Sequence, residues 1–174
     1  GTDTVTNVEH LQFADQTFSF NSAPTDLTVS SDTGVTMNTD GGNNAYLFTT
    51  DGGSIVGGLS ALTIEVEFSI DNRHGGTYQP LFSYNAGGAS DEIEIGIEHA
   101  DGTPHLYLEI AENGFPVPGF DASDLLDGHH QVSATWDNAS GDWEVYVDGV
   151  SVASGTGVAA GDTIASGGTI VLGQ

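Results

Sequence analysis

Between Leu62 and Ile70 the chain alternates without a break, with Leu62, Ile64, Val66, Phe68 and Ile70 on one side and Glu65 and Glu67 on the other. A period of two is the period of a β-strand, and it sends the two sets to opposite faces. One face must pack and the other must meet water, so a strand like this belongs to a sheet with one buried side.

The same reading predicts strands at Leu81–Tyr84, Ile93–Ile97, His105–Ile110, Gln131–Asp137, Trp143–Val147 and Thr169–Leu172. Asn-Ala-Ser-Gly at 138–141 and Asp-Gly at 148–149 supply hairpin turns between them. Sustained helical periodicity is almost absent, and Asp121–Leu126 has room for a single helical turn. With 25 glycines punctuating short strands, the pattern is that of an all-β sandwich. Eight Phe, five Tyr and two Trp give it material for a core, and 174 residues leave room for one sizeable domain with a short appendage.

That appendage is expected at the start. Residues 1–20 read as strand, turn, strand, and Asn21-Ser22-Ala23-Pro24-Thr25 is a polar joint whose proline pushes Ala23 toward an extended conformation. The expected division is 1–20, a linker at 21–25, and a sandwich over 26–174.

Charge excludes whole classes of partner. Twenty-five Asp and Glu face one cationic side chain, Arg73, for a net charge of −24. Such a field repels phosphate backbones and anionic lipid surfaces, so no nucleic-acid partner is expected. It suits a salt-rich extracellular medium, where screening relieves self-repulsion. Without cysteine there is no disulfide framework and no thiolate metal site, so a bound metal would be held by oxygen or His, and oxygen favours calcium. No run approaches the ~18 apolar residues of a membrane span, so no membrane insertion is expected, and Gly1-Thr2-Asp3 does not open a signal peptide.

The stretches LFSYNAGGASDEIEI (81–95), HHQVSATWDNASGDWEVYVDGVSVASG (129–155) and IVLGQ (170–174) resemble the pentraxins and the wider laminin-G-like, concanavalin A-like lectin group. The resemblance covers about Asp26 to Gln174. It implies a concanavalin A-like jelly-roll β-sandwich with a calcium site that grips a ligand directly, and phosphocholine-like groups or carbohydrates as ligands. Aligned without gaps, the family's first pair of calcium ligands falls on Ser90 and Asp91. The family's remaining calcium loop and last strands would follow Gln174, so the sandwich is expected to be incomplete at the C-terminus and finished by a downstream segment or a second polypeptide. GTDTVTNVEHLQFADQ (1–16) resembles the segment that closes calcium-binding arrays in RTX-type secreted proteins, which would make Asp3 a last-turn calcium ligand. NSAPTDLTV (21–29) resembles an inter-domain joint of large bacterial adhesins.

An enzyme reading competes. Glycosidases on the same fold use an acidic strand that SDEIEIGIE resembles, which would make Glu92 and Glu94 catalytic. Retaining hydrolysis needs two carboxyls roughly 5–5.5 Å apart, and residues two apart on a strand share a face about 6–7 Å apart. Glu98 lies four beyond Glu94, which departs from the glycosidase spacing. The plainer expectation is that Ile93, Ile95 and Ile97 face the core while the glutamates form a solvated face, with Glu92 otherwise a ligand contact. Arg73 is the one permanent cation that could grip an anionic ligand group, or it pairs with a neighbouring acid. Adjacent His129 and His130 point to opposite faces, and no His pair has zinc spacing. Trp136 is in register with Val132 and Ala134 and is expected in the core. Asp137, Asn138, Asp142 and Asp148 are explained by turn chemistry. With no nucleophile–base pair and no cofactor fingerprint, the leading expectation is a calcium-dependent glycan or adhesion module of a secreted RTX-like protein. A polysaccharide-degrading enzyme and a ligand-free spacer are the alternatives.

Overall fold

The structure, a computed structural model, describes residues 46–69, 78–99 and 101–173, together with the backbone of five strands between residues 2 and 38. Those five are β1 (Thr2–Val5), β2 (His10–Gln12), β3 (Thr17–Phe20), β4 (Asp26–Ser30) and β5 (Gly34–Asn38). There follow β6 (Leu47–Thr49), a short helix α1 (Gly52–Val56), β7 (Ala61–Ser69), β8 (Tyr78–Asn85), β9 (Ile93–Glu98), β10 (His105–Ile110) and β11 (Asn113–Pro116). A 3-10 turn at Ala122–Leu126 leads to β12 (His129–Asp137), β13 (Asp142–Val147), β14 (Val150–Gly155) and β15 (Thr169–Leu172). No helix among the described residues is long and apolar enough to cross a membrane.

The chain is all-β, and two antiparallel sheets form the sandwich. The larger runs β11-β10-β9-β8-β15-β6-β3-β2 and the smaller β14-β13-β12-β7. A third sheet, β1-β4-β5, is built from the first residues. Segment 21–25 lies outside the described residues, but strands on either side of it pair: β1 with β4, and β3 with β6.

Every strand read from alternation is present. Inward residues of β12 and β13, Val132, Ala134, Trp136, Trp143, Val145 and Val147, meet Ile93, Ile95, Ile97, Leu106, Leu108 and Ile110 of β9 and β10 in one core. Burial of each such aliphatic side chain contributes about 1.5–3 kcal/mol. Trp136 also donates its indole N–H to the Val158 carbonyl at 2.9 Å, which satisfies the one polar atom it brings inside. The β13–β14 hairpin turns on Asp148 and Gly149, with φ of 50° and 76°. Two left-handed residues in succession match the twist of a two-residue hairpin, and Asp-Gly tolerates them.

β7 is an edge strand. It pairs with β12 along its whole length and, among the described residues, with no strand on its other side. Its inward Leu62, Ile64, Val66 and Phe68 are half-buried, and its outward residues, Glu65 and Glu67 among them, are exposed. Ile70 and Arg73 lie outside the described residues.

Candidate functional site

β9 lies between β8 and β10 in the large sheet, and both its faces are buried. Its odd-numbered isoleucines enter the core, and its even-numbered residues stand on the opposite face. There the expected solvated row is corrected: Glu92 is 8% exposed and Glu94 only 4%. Neighbouring strands cover them. Glu109 of β10 is the direct cross-strand partner of Glu94 and is itself 6% exposed, and Ser83 of β8 flanks Glu94 on the other side.

Tyr78 and Tyr107 complete this covering. Tyr78 is opposite Glu98 in register, yet its hydroxyl donates to the Glu94 carboxyl four residues away. Gly96, between the two glutamates, is crowded by the β8 backbone, since a Cβ there would lie 3.1 Å from the Gln79 carbonyl oxygen and 3.2 Å from Pro80 Cα. Tyr107, opposite Gly96 in register, meets the Tyr78 ring edge to face, with ring centroids 5.9 Å apart and planes at 80°. Gly114 on β11 keeps the far side open, since a Cβ there would fall on the Tyr107 hydroxyl.

These residues line a cavity of about 400 Å³ bounded by Tyr78, Asn85, Ala89, Ser90, Asp91, Glu94, Glu98, Tyr107 and Glu109. Four of the nine are carboxylic acids. Desolvation is the largest cause that pushes Glu94 up to about 7, with the Asp91 and Glu109 charges adding to it and the Tyr78 hydrogen bond opposing it. Glu109 is also raised to about 7, first by desolvation and then by the charges of Asp91, Glu112 and Glu92. The Glu94 carboxyl lies within hydrogen-bonding reach of the Asp91 carboxyl, a contact that holds only when one of them carries a proton. Its Oε1 is buried with no donor. Burial first, and then the hydrogen bond and charge of Glu94, drive the Tyr78 hydroxyl far above the ordinary tyrosine value.

The residues singled out from the sequence are thus separated. Ser90, Asp91 and Glu94 come together in the cavity. Glu92 does not line it: its Oε2 accepts a hydrogen bond from the Ala165 backbone N–H at 3.0 Å. Tyr84 donates to the Ala165 carbonyl at 2.9 Å, so the pair pins the loop before β15 by both its polar backbone groups. Asp3 lies in β1, whose side chains are outside the described residues, as is Arg73. Glu109, Tyr78 and Tyr107 were not anticipated. The alternation of HLYLEI does set Tyr107 and Glu109 off the apolar face, but only the register shows which row they complete.

Although four carboxylic acids line the cavity, no three His, Cys, Asp or Glu side chains among the described residues are grouped as a metal ion requires.

A larger hollow of about 740 Å³ lies over β7, β12, β13 and β14, lined by Thr63, Thr135, Asp137 and Glu144 among others. Two of its acids are engaged: Asp137 accepts from the Ala139 N–H at 2.7 Å, and Glu144 accepts from the Ser151 hydroxyl at 2.5 Å. The smaller cavity is lined by the one residue of the two hollows with a buried carboxyl oxygen that lacks a donor among the described residues.

Residues 40–174 match a family described as the concanavalin A-like lectin/glucanases superfamily. No curated protein sequence matches the chain. Among solved structures, a native heptameric SAP-like pentraxin from Limulus polyphemus is similar at 21% identity and a TM-score of 0.52, over 68% of this chain and 54% of that one. The full extracellular region of zebrafish Gpr126/Adgrg6 is similar at 17% identity and a TM-score of 0.52, over 68% of this chain and 15% of that one. The chain thus spans about half the length of the pentraxin. These likenesses are of fold, and the family match covers most of the sequence. The chain belongs to the concanavalin A-like lectin/glucanase superfamily.

Proposed function

We propose that this chain is a non-catalytic glycan-binding domain and that the sugar sits in the Glu94–Glu109 cavity. The observation that carries this is the pairing of two tyrosine rings with a set of acceptors in one hollow. A pyranose offers an apolar C–H face and a rim of hydroxyl donors. Aromatic rings suit the first, and carboxylates suit the second. The cavity is of the size that small ligands occupy.

Binding is favoured over hydrolysis on two grounds. Glu92, which the hydrolytic reading pairs with Glu94, is committed to the Ala165 backbone. Glu94 and Glu109 are shifted the same way by the same leading cause, whereas hydrolysis by two carboxyls needs environments that drive an acid and a base apart. The net charge of −24 supports an extracellular setting for the parent protein, the setting in which an RTX-like context and calcium would also belong. No step of the binding is routed through a calcium ion.

The test is a glycan array read with wild-type chain and with Tyr107→Ala. The expected result is binding confined to one class of sugar and weakened about tenfold or more in the variant, the scale of a lost ring-stacking contact of ~1–3 kcal/mol. A folded wild-type chain that is silent across the array overturns the proposal.

A further inference from the structure

The cavity has an unbalanced charge. Asp91, Glu94, Glu98 and Glu109 line it, and no cationic side chain is among its residues. Its one amide side chain is already used, since Asn85 donates to the Ser90 carbonyl at 3.2 Å. Glu94 is 96% buried, taking its 4% exposure from the whole, and still holds one carboxyl oxygen without a donor. A buried acceptor left this way normally costs stability unless a ligand meets it.

We infer that the sugar recognised here is cationic: an amino sugar with a free ammonium group, as in a deacetylated, glucosamine-bearing polysaccharide. The inference rests on the glycan reading and names the substrate class of that same site. An ammonium group has three N–H donors and no acceptor, the complement of a hollow that has acceptors and no cation. It can face the Glu94–Glu109 pair from the cavity and neutralise both carboxylates at once. A neutral hydroxyl supplies one hydrogen bond and leaves the like charges facing each other. Uronic or sulfated sugars add to the repulsion. A divalent ion would need three ligand groups converging, and the described side chains do not converge. The tyrosines add a further attraction, since an ammonium on a ring face gains from the π-system. That both carboxyls are held near 7 by burial agrees with this, because the approach of a cation is what would return them to the charged form.

The experiment is calorimetric titration of the chain with four hexasaccharides: glucosamine, N-acetylglucosamine, glucose and a uronic acid. Each is run at low and high salt, with and without about 2 mM calcium, and repeated on Glu94→Gln/Glu109→Gln after a melt confirms that the variant folds. A lysine hexapeptide serves as a charge control. The expected result is that the glucosamine hexamer binds at least about tenfold more tightly than the N-acetylated one, a margin typical of a charge-assisted contact. Salt weakens that binding, and the double variant abolishes it. Equal or tighter binding of a neutral or uronic hexamer overturns the inference and leaves the glycan reading intact. So does binding that requires calcium, and so does glucosamine binding that the double variant retains. Lysine peptide binding as tight as the glucosamine hexamer overturns the sugar class. No binding of any hexamer by folded chain overturns both readings together.

Discussion

Glu94 and Glu109 are direct cross-strand partners on β9 and β10, on the face of the large sheet away from the core, and both are nearly inaccessible to water. Like charges so placed repel, and burial removes the water that would screen them. Burial is the largest cause that raises both carboxyls to about 7, well above the range of an unfolded chain, and the charge of Asp91 adds to it in each case.

This fixes the sign of a pH effect. Between about 4.5 and about 7 the folded chain holds protons that the unfolded chain has released. The contribution of the pair is therefore fully present below the unfolded value and is lost as pH rises through 7. Glu94→Gln, which cannot ionise, is expected to gain stability over wild type at pH 8 relative to pH 5, on the order of 1–3 kcal/mol. Urea melts at the two pH values check this, and a variant that tracks wild type at both refutes it.

Gly114→Ala is a steric probe of the cavity that leaves every charge in place. The added Cβ would occupy the position of the Tyr107 hydroxyl, with the Glu109 carboxyl carbon 3.3 Å away. Because the clash is with the tip of a side chain, the ring moves and the backbone stays. The expected outcome is a fold that melts within a few degrees of wild type, and ligand binding reduced about tenfold, the scale of one lost aromatic contact. Parallel melting and titration measure the two effects separately.

Trp136→Phe tests the opposite kind of residue. It removes the indole donor from the Val158 carbonyl and leaves that acceptor unpaired, at an expected cost of about 1–3 kcal/mol. Ligand affinity should not change, because Trp136 belongs to the core between the sheets. A loss of affinity without a loss of stability would reverse that assignment.

At the far end of the small sheet, His130 bridges two loops. Its Nδ1 lies 2.9 Å from Asp148 Oδ2 and its Nε2 2.9 Å from the Asp127 carbonyl. The Asp148 hydrogen bond is the largest cause raising His130 above the ordinary histidine value. Protonation thus favours the folded state, and the contribution is lost as pH rises through the raised value. NMR titration should place His130 above 6.5 in wild type and lower in Asp148→Asn.

The sandwich was legible because its strands obey a period of two wherever one face is wet. From Leu62 to Phe68 and from Gln131 to Val147 the alternation gives both the strand and its orientation. The cavity was only half legible for the same reason. β9 is covered on both faces, so the pattern that marks its isoleucines as core also suggested that its glutamates were solvated. What buries them is register: Glu109 stands 15 residues after Glu94 and meets it only because the β9–β10 hairpin closes at that offset. Likewise Tyr78 stands opposite Glu98 yet meets Glu94, on a strand whose register shifts between Pro80 and Phe82. Ser90 and Asp91, expected as calcium ligands from the resemblance, line the cavity, whereas Glu92 looked identical to Glu94 in sequence until the Ala165 N–H claimed it.

The border of β7 that pairs with no strand among the described residues carries a separate consequence. It is a nine-residue strand with half-covered Leu62, Ile64, Val66 and Phe68 on one face and Glu65 and Glu67 on the other. Two copies meeting there in antiparallel register would bring four carboxylates into contact, so the glutamates act as gatekeepers against fibril-like stacking. That guard is only as strong as the reach of charge, which shrinks from about 10 Å at 0.1 M salt to about 3 Å at 1 M. Salt strong enough to relieve the self-repulsion of the acid surface as a whole thus also weakens the guard along this one strand border.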